Sequence, residues 1–242
     1  MTAYEETAME ELAAWQKEMK KSSSLIGGLA KSLQTRINRI IPEKVHAAVT
    51  MAIKQMTRAV IFGSGFTTTT PLVDVTLEER ELKVKQRIKF YKNTAATEGA
   101  ITGAGGILLG LADFPIWLTL KMKMLHEIAA IYGHDVKNYK ERIYILHIFQ
   151  LTFSSQSHRN KIVPILENWA NENNLPSDID EFDWRTFQLE YRDYIDLAKL
   201  LQLVPGIGAP IGAYVNHRLT KKLGATAMNA YRLRWKLQKM LT

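Results

Sequence analysis

Apolar residues recur at spacings of three and four along most of this 242-residue chain, the period of an amphipathic helix. Ala8, Leu12, Trp15 and Met19 form one such stripe. Glu5, Glu6, Glu10 and Glu11 precede it and Lys17, Lys20 and Lys21 follow, the order that suits a helix dipole. The spacing predicts further helices over 24–40 and 43–62, parted by Pro42. Gly63–Thr76 reads as a loop, and Thr76 with Glu79 as a capping box opening a helix that runs to Thr97. Asp113 reads as the N-cap of a helix to Tyr132, with Pro115 in its first turn and Gly133 as its stop. Asp135 or Asn138 starts the next, to Phe153, whose apolar run Ile143–Phe149 marks it as central. Helices over 157–173 and 184–204 lie either side of an acidic loop, Asn171–Asp183, and two last helices, 211–223 and 225–241, divide at Gly224. Alternating β-branched runs bounded by turn signals are missing. The pattern therefore predicts an all-α fold, a single compact multi-helix bundle over residues 1–242.

Two uncharged, glycine-punctuated stretches interrupt this pattern. Gly99–Ala112 (GAITGAGGILLGLA) lies between Glu98 and Asp113; Leu200–His217 (LLQLVPGIGAPIGAYVNH) lies between Lys199 and Arg218. Neither reads as an ordinary membrane span. The first reaches roughly 21 Å as a helix against a hydrocarbon layer of about 30 Å, and Pro205, Gly206, Gly208, Pro210 and Gly212 break the second. Gly99, Gly103, Gly106 and Gly110 would share one helix face, and Gly208 and Gly212 repeat the small-xxx-small spacing. Each glycine costs an exposed helix roughly 1 kcal/mol relative to alanine, so close helix–helix contact is expected to offset them. The spacing does not decide between contact in a protein core and insertion into a lipid interface.

Charge adds a direction. The chain carries a net charge of +8, and the last acid is Asp196. After it come Lys199, Arg218, Lys221, Lys222, Arg232, Arg234, Lys236 and Lys239. Such an end favours an anionic surface, phospholipid or nucleic acid; without a paired recognition-helix arrangement, nucleic acid is the weaker reading. Leu219, Leu223, Ala227, Tyr231 and Trp235 make an apolar stripe among these cations, so Lys221, Lys222, Arg232, Arg234 and Lys236 are the candidate contacts to an anionic membrane surface. A solvated outer face with the stripe buried in the bundle is the competing account. The chain has no cysteine, which excludes disulfides, a thiol nucleophile and cysteine-held metals. Its acidic start, MTAYEETAMEELAAW, does not read as a signal peptide, so a cytoplasmic site, peripheral to the inner face of the cell membrane, is expected.

Motifs for chemistry are sparse. The glycine run lacks the third glycine of a GxGxxG and follows no strand, and no GxxxxGK[ST] occurs. Gly63-Ser64-Gly65 is no nucleophile elbow. His126-Glu127 opens like a zinc-protease helix, but Ala130 stands where the second histidine should be. His126, His134 and Asp135 near one helix end suit capping better than metal binding, and His147 suits a hydrogen-bonded core position. No metal or cofactor is expected. Asp113, Asp193 and Asp196 are the carboxylates available for acid–base work if buried, though Arg192, Asp193, Asp196 and Lys199 also have the spacing of intrahelical ion pairs.

The stretches TEGAITGAGGILLGLADFP (97–115), LKMKMLHEIAAIYG (120–133), ERIYILHIFQL (141–151), YRDYIDLAKLLQLVPGIGAPIGAYVNHRL (191–219) and AMNAYRLR (227–234) strongly resemble the EcsC family, as does IPEKVHAAVTMAIKQM (41–56). In Firmicutes the family's gene typically accompanies those of the Ecs ABC transporter, an ATPase and a membrane subunit. The resemblance implies a transporter-associated accessory protein at the cytoplasmic side of the membrane, with Ecs transporter subunits as partners. It carries no catalytic residues over. Protein or lipid binding is thus the expected function; a hydrolase using buried carboxylates is the alternative.

Overall fold

The computed structural model describes the backbone of residues 1–20, 51–60 apart from 52 and 57, 70–104, 106–171 and 208–241, and side chains outside 102–114, 171, 208–209, 211 and 241. Every regular element among them is helical: α1 (Ala3–Met19), α2 (Leu77–Ala104), α3 (Gly106–Ile131), α4 (Tyr139–Phe153), α5 (Gln156–Glu167), a 3₁₀ turn at Trp169–Asn171, and α6 (Gly208–Leu241). Residues within 51–60 are helical too, and Ile53, Met56 and Val60 enter the core. The helices expected over 24–40 and 184–204, and the acidic loop, lie outside the described residues.

Local chemistry sets the ends of these helices. Thr2 and Glu5 form a reciprocal capping box on α1. Thr76 and Glu79 do the same for α2: the Glu79 carboxylate accepts from the Thr76 amide at 2.8 Å, and the Thr76 hydroxyl accepts from the Glu79 amide at 3.3 Å. At the end of α3, Gly133 takes φ +91°, the left-handed turn that closes a Schellman motif. The His134 amide donates to Ala129 at 3.0 Å and the Gly133 amide to Ala130 at 2.9 Å. Arg80 then donates to the carbonyls of Leu72 (2.9 Å) and Ile131 (2.7 Å), tying the approach to α2 onto the end of α3.

α2 and α3 form an antiparallel hairpin. Arg80 meets Ile131 at the open end, and further along Arg87 and Tyr91 share the Glu127 carboxylate at 2.6 and 2.7 Å. Antiparallel to α2 runs α6: Glu81 faces Arg232, Ile88 faces Gly224, and Gly99 faces Gly212. α4 lies across this layer with eleven of its fifteen residues buried. It is a core helix, as its apolar run foretold.

Three local expectations yield to long-range packing. Gly224 does not divide two helices; α6 passes through it unbroken. A Cβ there would lie 2.6 Å from Ile88 Cγ1, so this glycine serves close approach and not termination. The first glycine segment is not one helix face. Gly99 and Gly103 end α2 while Gly106 and Gly110 begin α3, and these two helices run antiparallel. Asp113 therefore stands inside α3 and does not cap it, and Pro115 lies in the helix interior.

Close glycine contact is nevertheless present where α2 crosses α6. A Cβ on Gly99 would lie 2.6 Å from Asn216 Nδ2 and 2.7 Å from the Gly212 carbonyl carbon. Alanine in a helix interior normally gains about 1 kcal/mol over glycine. Gly99→Ala is expected to lose about 1–3 kcal/mol instead, from overpacking. Urea denaturation of the variant checks the sign.

One polar knot joins three helices and the turn after α3 through this core. Arg232 of α6 donates from Nε to Glu81 Oε1 and from Nη2 to Glu81 Oε2, both at 2.6 Å, and from Nη1 to Glu11 at 2.7 Å. Tyr4 donates to Glu81 Oε2 at 2.7 Å and Tyr132 to Oε1 at 3.1 Å. Glu81 has no exposure. Burial alone would raise its pKa, yet Arg232 and the two phenols hold it below the ordinary range. Removing one partner of a buried pair costs about 3–5 kcal/mol, whereas replacing both is often tolerated. Glu81→Leu is accordingly expected to melt well below Glu81→Leu/Arg232→Leu, a comparison that thermal unfolding of the two variants settles.

Candidate functional site

The two ends of α6 carry different chemistry. At its C-terminal end a second carboxylate is buried. Glu141, in the first turn of α4, accepts from Tyr231 Oη at 2.7 Å and from Arg234 Nη1 at 2.5 Å. Both side chains come from α6, and the Arg234 guanidinium lies 4.7 Å over the Tyr144 ring. Tyr144 donates to the Ala230 carbonyl at 2.6 Å, and Tyr231 stacks between Tyr132 and His134 at 5.2 and 5.3 Å. Burial raises the Tyr231 hydroxyl far above its usual range and Glu141 adds to this, so it is a fixed donor.

This polar nest forms the wall of a half-open cavity of about 310 Å³, whose lining includes His134, Asn138, Lys140, Glu141, Trp169 and Arg234. The turn after Gly133 delivers His134. Asn138 caps α4 by accepting from the Lys140 amide at 2.8 Å, and Lys140 reaches over the Trp169 ring at 5.7 Å. Burial, with Arg234 and Arg80 nearby, lowers the His134 pKa to about 3, so its ring is neutral near pH 7.

At the other end of α6 the glycine-rich segments converge. The Gly99–Gly212 crossing brings the hairpin tip and the start of α6 together. On these three helices Ile101 of α2, Ile116 of α3 and Tyr214 of α6 are 65%, 57% and 62% exposed. Tyr214, His217, Arg218 and Lys221 follow one another at helical spacing, with Arg218 and Lys221 exposed. Burial lowers the His217 pKa, and Lys92 of α2 and Lys221 lower it further, which puts these cations beside one another. α6 contains no Asp or Glu.

The structure redistributes the sequence-derived candidates. Leu219, Leu223, Ala227 and Tyr231 are buried and Trp235 packs against the core, so the apolar stripe of α6 faces protein and not solvent. Arg232, 3% exposed, is held by Glu81 and Glu11, and Arg234 by Glu141. Neither is a surface cation. Lys222 is half-buried; desolvation with Arg159 and Arg218 nearby lowers its pKa to about 7. Lys221 and Lys236 are exposed, toward opposite ends of the helix. Gly99 and Gly212 meet, while Gly103, Gly106, Gly110 and Gly208 are described only as helical backbone. Asp193 and Asp196 lie outside the described residues, as does the side chain of Asp113. His126 donates to or accepts nothing from His134: its Nδ1 lies 2.8 Å from the Met122 carbonyl, and among the described residues no group of three His, Asp or Glu side chains is placed to hold a metal. His147 pairs with Gln150 at 2.8 Å. Sequence reasoning did not single out Glu141, Lys140 or Trp169. The available signal was Glu141, an acid in a capped first turn just ahead of a continuous apolar run.

An all-α protein with no helix long and apolar enough to cross a membrane among its described residues, joined through two buried carboxylate–arginine knots, is the class that this geometry defines. The chain belongs to the EcsC protein family, whose model matches residues 6–235. It is 42% identical to Protein EcsC of Bacillus subtilis (strain 168) over 227 residues, 93% of this chain and 94% of that one. It is also 35% identical to the uncharacterized protein YdbA of the same organism over 155 residues, 63% of this chain and 56% of that one. No solved structure matches it significantly.

Two buried histidines give the fold an acid-labile term. His126, desolvated and near Arg142, has its pKa lowered to about 4 despite its bond to Met122; that of His134 falls to about 3. Both lie below the ordinary value of about 6.5, so the unfolded chain takes up these protons first. Their contribution is complete above pH 6.5 and lost as pH falls toward 4, by up to about 1.4 kcal/mol per pH unit for each histidine. Urea midpoints measured from pH 7 to pH 5 are expected to fall, and to fall less steeply in His134→Gln.

Proposed function

We propose that this protein is a non-catalytic accessory factor of an ABC transporter that docks on the anionic inner face of the membrane. One observation carries the docking: the convergence of both glycine-rich segments at the Gly99–Gly212 crossing, with Ile101, Ile116 and Tyr214 exposed on the helices concerned and His217 near both Lys92 and Lys221. Apolar side chains at the tip with cations behind them are arranged as in an interfacial anchor, in which rings and alkyl groups enter the headgroup region while cations meet lipid phosphate. The transporter association rests on the family, to which Protein EcsC of Bacillus subtilis also belongs, and on the setting that the family resemblance implies. The fold supports the reading by what it removes. With Arg232 and Arg234 occupied by carboxylates, the cations left on the surface of α6 include those nearest the apolar tip.

Flotation with vesicles tests the proposal. Wild type is expected to float with phosphatidylglycerol-containing vesicles at low salt and not with phosphatidylcholine alone. Each cation near an anionic surface contributes about 1 kcal/mol, so Arg218→Gln/Lys221→Gln should weaken binding about thirtyfold. Ile101→Asp/Tyr214→Asp should abolish it, and Lys236→Gln, near the other end, should leave it unchanged. Failure of wild type to float, or equal flotation by all variants, would overturn the reading.

A further inference from the structure

We propose that the cavity at the C-terminal end of α6 binds a small oxyanion, the carboxylate or phosphate group of a metabolite, through Arg234 and His134, beside the Trp169 ring. The fold leaves hydrogen-bonding donors of this cavity unused. The Glu141 carboxylate is engaged on both oxygens, by Tyr231 and by Arg234, and the Asp135 carboxylate accepts from the Lys137 amide at 2.9 Å. The buried acid of the cavity is thus fully occupied, and Asp135 is an exposed side chain at its edge.

Donors are in surplus. Arg234 uses Nη1 on Glu141, and its Nε and Nη2 meet no acceptor among the described residues. Trp169 is 3% exposed, and its indole N–H is buried with no hydrogen-bond partner. That nitrogen is sealed from the cavity, so Trp169 lends its ring to the wall and the donors open to a ligand are those of Arg234 and His134. His134, neutral near pH 7, stands 3.9 Å from Glu141, beyond hydrogen-bond reach, so its ring N–H is not spent there. Lys140 over Trp169 and the first turn of α4 add positive potential at the rim.

A ligand that fits must supply acceptors and negative charge, which an oxyanion does. A bare metal cation would face Arg234 and Lys140 and is repelled. About 310 Å³ is at the small end for ligand pockets, enough for a compact acid and too little to enclose a nucleotide. The site lies 22 residues along α6 from Gly212, about 33 Å as a helix, so it is separate from the membrane-docking end and does not depend on that reading.

The indole resonances of the full-length protein provide the test. The chain has five tryptophans, and loss of one cross-peak in Trp169→Phe assigns that of Trp169. Titration with inorganic phosphate, or with malonate, is expected to shift the Trp169 cross-peak saturably, while potassium chloride at matched ionic strength does not. Whichever probe saturates first identifies phosphate or carboxylate as the preferred group. Half-saturation should rise at least tenfold in Arg234→Gln. Should that variant not fold, Lys140→Gln at the rim is expected to raise half-saturation several-fold with wild-type melting. A Trp169 cross-peak that does not saturate, or half-saturation unchanged in the folded variants, would overturn the proposal.

Discussion

Glu81 sits where water does not reach, and a carboxylate there stays ionised only while something replaces its hydration. Arg232 grips both its oxygens, Tyr4 and Tyr132 complete the shell, and Glu11 occupies the remaining edge of the guanidinium. These side chains come from α1, α2, α6 and the turn after α3, so the knot forms only when these elements are in register. Its net contribution to stability is small, because desolvation offsets much of the Coulomb gain. What it supplies is alignment. Sliding α6 along α2 by one turn would leave a buried charge unpaired, and the same slide would drive Gly224 and Gly99 away from the neighbours that fit them.

That register explains why the two ends of the bundle differ. Antiparallel α2 and α6, fixed at Glu81–Arg232, necessarily bring the two glycine segments together at the far end and leave Arg234 two residues past the knot to meet Glu141. The apolar tip and the polar cavity are consequences of one alignment. Neither needs a motif of its own in the sequence, and neither has one.

What the sequence made legible is what neighbouring residues decide. Thr76 with Glu79, Gly133 and Asn138 act within three or four positions, and each was readable as a cap. The all-apolar run of α4 was readable as central because it lacks a polar face. Gly224 looked like a break because a glycine's local preference is visible and the Ile88 side chain against it is not. Arg232 looked free for a similar reason: α6 contains no acid, and its partner Glu81 is 151 positions away. The cavity was illegible throughout, since its walls come from the turn after α3, the start of α4, the Trp169 turn and the end of α6. The division of this segment between antiparallel α2 and α3 was hidden by a glycine spacing that a single helix face would equally well produce.

The unbroken course of α6 through Gly224 has a mechanical consequence. Its 34 residues make a rod of about 51 Å, with the tip near one end and the cavity near the other. At the Gly99–Gly212 crossing, one of its close approaches to α2, neither glycine brings a side chain of its own between the backbones. The far end of the rod is pinned as well, through Arg232 to Glu81 and Glu11 and through Arg234 to Glu141. A stiff beam held at both ends cannot shift at one without straining the other, so the spacing between tip and cavity is set by helix length alone.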